Sequence, residues 1–113
     1  GGAARLAALL RSEAEEVLLD LGAGIGPVPR GLAAAADLLL VIVTDQPTSL
    51  TDAYAVLKLH RRDAPGREAR IIANDVADTA TGARVHATLD AACSAACGGM
   101  RGCPPPSVPR CRC

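Results

Sequence analysis

The chain has 113 residues, half of them apolar, and Tyr54 is its only aromatic side chain. This length supports one small domain, whose core must be aliphatic. Twelve acidic residues balance twelve basic ones, and the chain lacks the clustered basic stripe that a nucleic-acid surface needs. Its longest apolar run, residues 38–43, is far shorter than the roughly 20 residues that cross a bilayer. We therefore expect a cytoplasmic protein with no nucleic-acid partner and no membrane-binding helix.

Helical and strand patterns alternate along residues 1–92. We predict helices at 4–16, 28–36, 47–62 and 78–92, and strands at 17–21, 37–44 and 69–74. The second strand, DLLLVIVT, is nearly continuous in aliphatic residues, which is typical of a strand buried on both faces of a parallel sheet. Strands that alternate with helices predict a three-layer α/β/α fold with right-handed crossovers.

Residues 93–113 differ in composition from the rest and are predicted to form a separate, irregular tail. They contain four of the eight prolines and all five cysteines: Cys93, Cys97, Cys103, Cys111 and Cys113. The cysteines do not form the closely spaced pairs that zinc sites usually show, and disulfides are rare in the cytosol. We therefore predict neither a metal site nor disulfides in the tail.

Glycine, acidic and amide residues follow the predicted strands. Asp20 ends the first strand and precedes Gly22 and Gly24, Pro47 lies just after the second strand, and Asn74 ends the third. Because parallel strands end at the same edge of a sheet, where ligands bind in open α/β folds, these residues predict one ligand site.

The stretch LLDLGAGIGP leaves more than one class of ligand open. A dinucleotide fingerprint fails, because Pro27 replaces its third glycine and Asp20 would repel a pyrophosphate. The stretch also resembles the first motif of class I S-adenosylmethionine-dependent methyltransferases, with Asp45 as the ribose-binding acid, although VIVTDQPTSLTDAY departs from that pattern. A methyltransferase fragment and a non-enzymatic, partner-binding α/β module both remain alternatives.

Residues 3–90 resemble the second half of MinD/ParA-type ATPases, the SIMIBI proteins with a deviant Walker A motif. The resemblance is carried by the Asp-x-Gly-Ala-Gly-Ile loop, the helix end LAAAAD, the segment TDQPTSLTDAYAVLKL and the strand end IIAND. It is closest to flagellar-number regulators of the FlhG/FleN type. The family implies ATP and Mg²⁺ as cofactors, a homodimer, and partners among flagellar assembly and regulatory proteins.

The resemblance also implies roles for individual residues. Asp20 would orient a water molecule on Mg²⁺, and Gly22 and Gly24 would let the loop approach the terminal phosphate. Asn74 would bond the adenine edge, and Pro47 would lie near the nucleotide or the dimer contact. No catalytic residue is assigned.

The phosphate-binding half of such an ATPase is missing from the sequence. No G-x-x-x-x-G-K-[ST] motif or lysine-bearing variant occurs, and the only lysine, Lys58, lies within a predicted helix. The chain begins Gly-Gly and its only methionine is Met100, which we interpret as a cut or incomplete N-terminus. Residues 1–92 are thus expected to be a partial ATPase domain that neither binds nor hydrolyses ATP alone.

Overall fold

The computed structural model describes residues 1–96, which contain four helices and two strands. The elements are α1 Gly2–Glu13, α2 Pro27–Ala35, β1 Leu38–Val43, α3 Pro47–Asp63, β2 Glu68–Ala73 and α4 Thr79–Ala96. The alternation predicted from the sequence is therefore present from α2 onward. No helix within residues 1–96 is long and apolar enough to span a membrane.

The two strands form a parallel sheet, which confirms the predicted α/β class. β1 pairs with β2 in a register that runs from Leu38 opposite Glu68 to Val43 opposite Ala73. Parallel neighbours need a long crossover connection, and α3 supplies it.

One face of the sheet is covered by α3 and α4. Along β1, Leu39, Val41 and Val43 are buried while the residues between them are exposed. The buried side chains form one aliphatic cluster with residues of the helices: Ala33, Leu39, Val41, Val43, Ala53, Leu57, Ile71, Val85, Leu89 and Cys93. A period of two along the strand with a single covered face explains this pattern.

The prediction that β1 is buried on both faces was wrong for this structure. Leu38, Leu40 and Ile42 of β1 and Ile72 of β2 are exposed, on the side of the sheet opposite the cluster. The sequence run is apolar throughout, but within residues 1–96 the helices that contact the strands pack on one side only.

The prediction of a strand at residues 17–21 was also wrong. The segment between α1 and α2 has neither helix nor strand structure, and Leu18 is 94% exposed. A strand is stable only when a neighbouring strand satisfies its N–H and C=O groups. Within residues 1–96 the sheet is limited to β1 and β2, and this segment pairs with neither of them.

Helix α4 begins with a side-chain cap and continues beyond the predicted domain boundary. The carboxylate of Asp78 accepts a hydrogen bond of 2.7 Å from the Thr81 backbone N–H, and this bond holds the pKa of Asp78 below its ordinary value. The helix runs to Ala96, and Cys93 is buried in the core. Residues 97–113 lie outside the described part, so the irregular tail stays a prediction.

A tight turn joins α3 to β2, as the sequence APGRE predicts. The Arg67 N–H donates to the Ala64 carbonyl at 3.1 Å, and Gly66 has φ +81°. With Pro65 preceding that glycine, these features are those of a type II turn.

Replacement of Gly66 is expected to destabilise the fold. Gly66→Ala should lower the free energy of unfolding by about 1–2 kcal/mol, because a side chain at positive φ is strained. An added Cβ would meet no atom within 4 Å, so the cost is conformational. Urea titration measures the change. Gly66→Asn should lower the free energy of unfolding by less, since asparagine tolerates this conformation. Equal decreases for the two variants would contradict the explanation.

Candidate functional site

The carboxyl ends of β1 and β2 lie side by side at one edge of the sheet. The Asn74 N–H donates to the Val43 carbonyl at 2.8 Å, so the pairing continues one residue past β2. Asp75 then adopts φ +52°, a left-handed conformation, which turns the chain sharply after the strand. Asn74 is therefore held beside the end of β1, at the kind of sheet edge where parallel sheets bind ligands.

Helix α3 begins at the same edge and is tied to the end of β1. Pro47 occupies its first turn, where the missing N–H costs no helical bond. The Thr44 N–H donates to the Ser49 hydroxyl at 3.0 Å, and the Thr44 hydroxyl accepts from the Gln46 N–H at 3.3 Å. These two bonds fix the path from strand to helix, so Pro47 and Asn74 share one edge of the fold.

The glycine loop precedes α2 and has a defined backbone shape. Gly22 and Gly24 have φ values of +66° and +121°, which residues with a Cβ rarely adopt. A carboxylate oxygen of Asp20 accepts the Gly22 N–H at 3.1 Å, a side-chain turn typical of aspartate. Because an added Cβ would meet nothing within 4 Å at either glycine, backbone conformation alone explains both glycines in this structure.

Asp20 is exposed and has capacity for a further ligand. Its second carboxylate oxygen makes no hydrogen bond within residues 1–96. In the same range, no three His, Cys, Asp or Glu side chains lie close enough together to hold a metal ion. A cation near Asp20 would therefore need oxygen ligands from water or from a bound phosphate, which is the arrangement that Mg²⁺ commonly takes.

The predicted site residues are thus only partly brought together by strands. β1 and β2 place Pro47 and Asn74 at one edge. Asp20, Gly22 and Gly24 lie instead in the irregular segment between α1 and α2. The predicted third parallel strand, which would carry Asp20 to this edge, is not formed.

A salt bridge that no sequence motif predicts connects α2, the helix after the glycine loop, to α3. Nε and Nη2 of Arg30 donate to the two carboxylate oxygens of Asp63 at 2.7 and 2.8 Å. The bond lowers the pKa of Asp63 and raises the pKa of Arg30. The partners are 33 residues apart and belong to no recognisable motif, so only the packing of α2 on α3 could reveal the pair.

The fold and its polar strand ends are compatible with part of a P-loop NTPase-like domain of the MinD/ParA class. Comparison with known proteins narrows the class. Over 73 residues, 65% of this chain, the sequence is 38% identical to the antiactivator FleN of Pseudomonas aeruginosa. Over 78 residues, 69% of the chain, it is 32% identical to the flagellum site-determining protein YlxH of Helicobacter pylori. The chain is a FlhG/FleN-type relative of the MinD/ParA proteins.

The likeness covers a limited part of those relatives. The chain spans about a quarter of the length of each, 26% in both cases. No protein-family model matches the sequence, and no solved structure matches it.

Proposed function

We propose that this chain supplies the Walker B, switch II and adenine-side part of a MinD/ParA-like ATPase that regulates flagellar number or placement. The observation that carries the proposal is the 38% identity to an antiactivator over 65% of the chain. The edge of the sheet that carries Pro47 and Asn74 supports the proposal, because parallel sheets bind ligands at such edges.

The residues of the glycine loop provide some, but not all, of the groups that would bind a nucleotide and its cation. Within residues 1–96, one carboxylate oxygen of Asp20 makes no hydrogen bond, and it would suit a water on Mg²⁺, which prefers oxygen ligands and keeps several waters. An added Cβ would meet nothing within 4 Å at Gly22 or Gly24, but the Gly22 N–H already donates to Asp20, so a phosphate would have to use other N–H groups of the loop. When bound, Mg²⁺ would neutralise phosphate charge. Asp20 would orient its water, and Asn74 would bond the base.

The same residues do not make a complete phosphate site. An ATPase of this class needs lysine to neutralise the phosphates, and Lys58 is the only lysine in the chain. Lys58 is exposed on α3, with its ammonium 5.8 Å from the centroid of the Tyr54 ring. It therefore belongs to the outer surface of the helix, and the chain alone should not hydrolyse ATP.

The remaining parts of the proposal come from the family. They are a homodimeric parent protein, partners among flagellar assembly and regulatory proteins, and a cytoplasmic location. The names of the two relatives, an antiactivator and a site-determining protein, fit a regulatory rather than a structural role in the flagellum.

A chimera tests the proposed role. Residues 1–92 should replace the matching segment of P. aeruginosa FleN, and ATP hydrolysis and flagella per cell should be measured against FleN with the segment deleted. We expect the chimera to restore both. Asp20→Ala should reduce ATP turnover by at least about tenfold, which corresponds to 1.4 kcal/mol of transition-state stabilisation. Glu16→Ala, which removes another exposed acid of the same segment, should have little effect.

Two results would contradict the proposed function. The first is equal ATP turnover in the Asp20→Ala and Glu16→Ala chimeras. The second is saturable binding of labelled S-adenosylmethionine by the 113-residue chain, which would favour the methyltransferase alternative. ATP turnover above background by the isolated chain would contradict the proposal that its phosphate site is incomplete.

A further inference from the structure

Asp75, which directly follows Asn74 at the end of β2, has an unusual backbone conformation. Within residues 1–96 it is the only non-glycine residue with a positive φ angle, +52°. This left-handed conformation costs free energy for residues with a Cβ, although aspartate tolerates it better than most. Residues that a fold holds in such conformations cluster at ligand-binding sites. The contacts on both sides of Asp75 therefore decide whether the fold holds it there.

The chain is anchored on both sides of Asp75. Before it, the Asn74 N–H donates to the Val43 carbonyl at 2.8 Å. After it, the Val76 side chain packs against the aliphatic cluster. Gly82 of α4 lies so close that a Cβ added there would be 3.7 Å from Cγ2 of Val76. Because both neighbours are fixed, the left-handed turn holds Asp75 at the edge of the sheet where the strands end.

The carboxylate of Asp75 is exposed and is not used by the fold. Within residues 1–96 it makes no hydrogen bond and no ion pair. The nearby Asp78, by contrast, caps α4 by accepting the Thr81 N–H, so helix capping does not explain Asp75. An ionised carboxylate only accepts hydrogen bonds. Asp75 is therefore available to a ligand that presents N–H donors at this edge.

Asn74 alone does not select between purine bases. Its side-chain amide has both donors and an acceptor, so it can accept from the amino group of adenine or donate to the O6 carbonyl of guanine. The two bases differ beside that group. Guanine presents two neighbouring donors there, N1–H and the 2-amino group, whereas adenine presents N1 as an acceptor. A carboxylate next to the amide matches the donors of guanine and faces a lone pair in adenine.

We propose that Asp75 selects the base, its carboxylate accepting N1–H and the 2-amino group of guanine, so that the nucleotide site takes GTP as well as ATP. The inference rests on the proposed function, which brings a nucleotide base to Asn74. Hydrogen bonds to an ionised carboxylate are stronger than neutral ones, and guanine would make two of them. Adenine would be held by Asn74 without help from the carboxylate.

The left-handed turn is what allows two consecutive residues to serve one base. In a strand that continued, the side chains of Asn74 and Asp75 would point to opposite faces. The positive φ of Asp75 ends this alternation at the residue where β2 has already stopped pairing. The unusual backbone conformation and the unpaired carboxylate thus have one explanation.

Nucleotide turnover by the chimera described above tests the proposal. We expect it to hydrolyse both ATP and GTP. Asp75→Asn removes the charge but keeps a residue that tolerates the left-handed conformation, and it should lower kcat/KM for GTP relative to ATP by at least about tenfold. Asp75→Gly, which removes the side chain without conformational cost, should do the same. Asp90→Asn changes an exposed acid in the second half of α4 and should leave the ratio within about twofold, because distant sites act independently.

Binding of nucleosides to the full 113-residue chain gives a measurement that needs no turnover. Guanosine should shift the NMR signals of the Asn74 and Asp75 backbone amides, and Asp75→Asn should remove most of that shift. Adenosine should shift the Asn74 signal equally in both proteins. A nucleoside carries no phosphate, so the incomplete phosphate site does not affect this result. A chimera without ATP turnover would contradict the proposed function, while the guanosine shifts would still support the role of Asp75.

Three results would overturn the inference. The first is a ratio of GTP to ATP turnover that Asp75→Asn and Asp75→Gly leave unchanged, which would mean that Asp75 only forms the turn. The second is a chimera that hydrolyses ATP but not GTP. The third is guanosine binding that either does not shift the Asn74 and Asp75 signals or shifts them equally in Asp75→Asn.

Discussion

Leu57→Ala is expected to lower the free energy of unfolding by about 2–5 kcal/mol, the usual cost of such a cavity in a core. Leu57 is 1% exposed and lies in the aliphatic cluster between the sheet and the helices. No fully buried aromatic ring stabilises this core, because Tyr54 is the only aromatic residue of the chain and is only partly buried. Domains are stable by only about 5–15 kcal/mol in total, so this loss would remove a large fraction of the free energy of unfolding.

Denaturant titration followed by circular dichroism measures this effect. Val28→Ala is the matched control, since it truncates an aliphatic side chain that is mostly exposed on α2. The free energy of unfolding of this control should change by no more than about 0.5 kcal/mol. A similar loss in both variants would mean that α3 does not pack on the sheet as described.

His60 should make the stability of the chain sensitive to mild acid. Its side chain is 5% exposed, and neither Nδ1 nor Nε2 has a hydrogen-bond partner in the described residues. Burial lowers the pKa of His60, with Asp63 opposing and Arg67 reinforcing the shift. The cationic form would be buried without a partner for either N–H, so the fold holds the neutral imidazole.

The direction of the pH effect follows from this shift. In the unfolded chain the imidazole binds a proton near its ordinary pKa of about 6.5, whereas the folded chain binds it only at lower pH. The contribution to stability is thus complete above about pH 6.5 and is lost as the pH falls through the folded pKa. The slope is at most about 1.4 kcal/mol per pH unit for one proton.

His60→Leu should remove this dependence. Thermal unfolding between pH 7.5 and pH 5 should then change little, while the parent chain loses stability over the same range. At pH 7.5 the two should differ by no more than about 1 kcal/mol, because an apolar side chain of similar size leaves no buried polar atom unpaired. In Asp63→Asn the decline below pH 6.5 should persist, since the Asp63 carboxylate titrates at lower pH. A parent chain that is equally stable at both pH values would contradict the role of His60.

Local patterns in the sequence were sufficient to predict the helices and strands from α2 onward. The aliphatic run of β1 and the Pro-Gly turn at Gly66 indicated their structures correctly, as did the helical pattern of α3. Propensity and turn geometry are short-range effects, so neighbouring residues determine them. The segment TDQPTSLTDAYAVLKL likewise indicated the family that the comparisons support.

The sequence by itself therefore determined the element types from α2 onward, the parallel order of β1 and β2, and the kinship to flagellar regulators. Tertiary structure alone decided which face of β1 is covered, whether residues 17–21 form a strand, and which residue pairs with Arg30. Each of these depends on what lies beside a segment in space. A run such as LLLVIV is equally compatible with one covered face or two, and VLLDL becomes a strand only where a neighbouring strand can accept its hydrogen bonds.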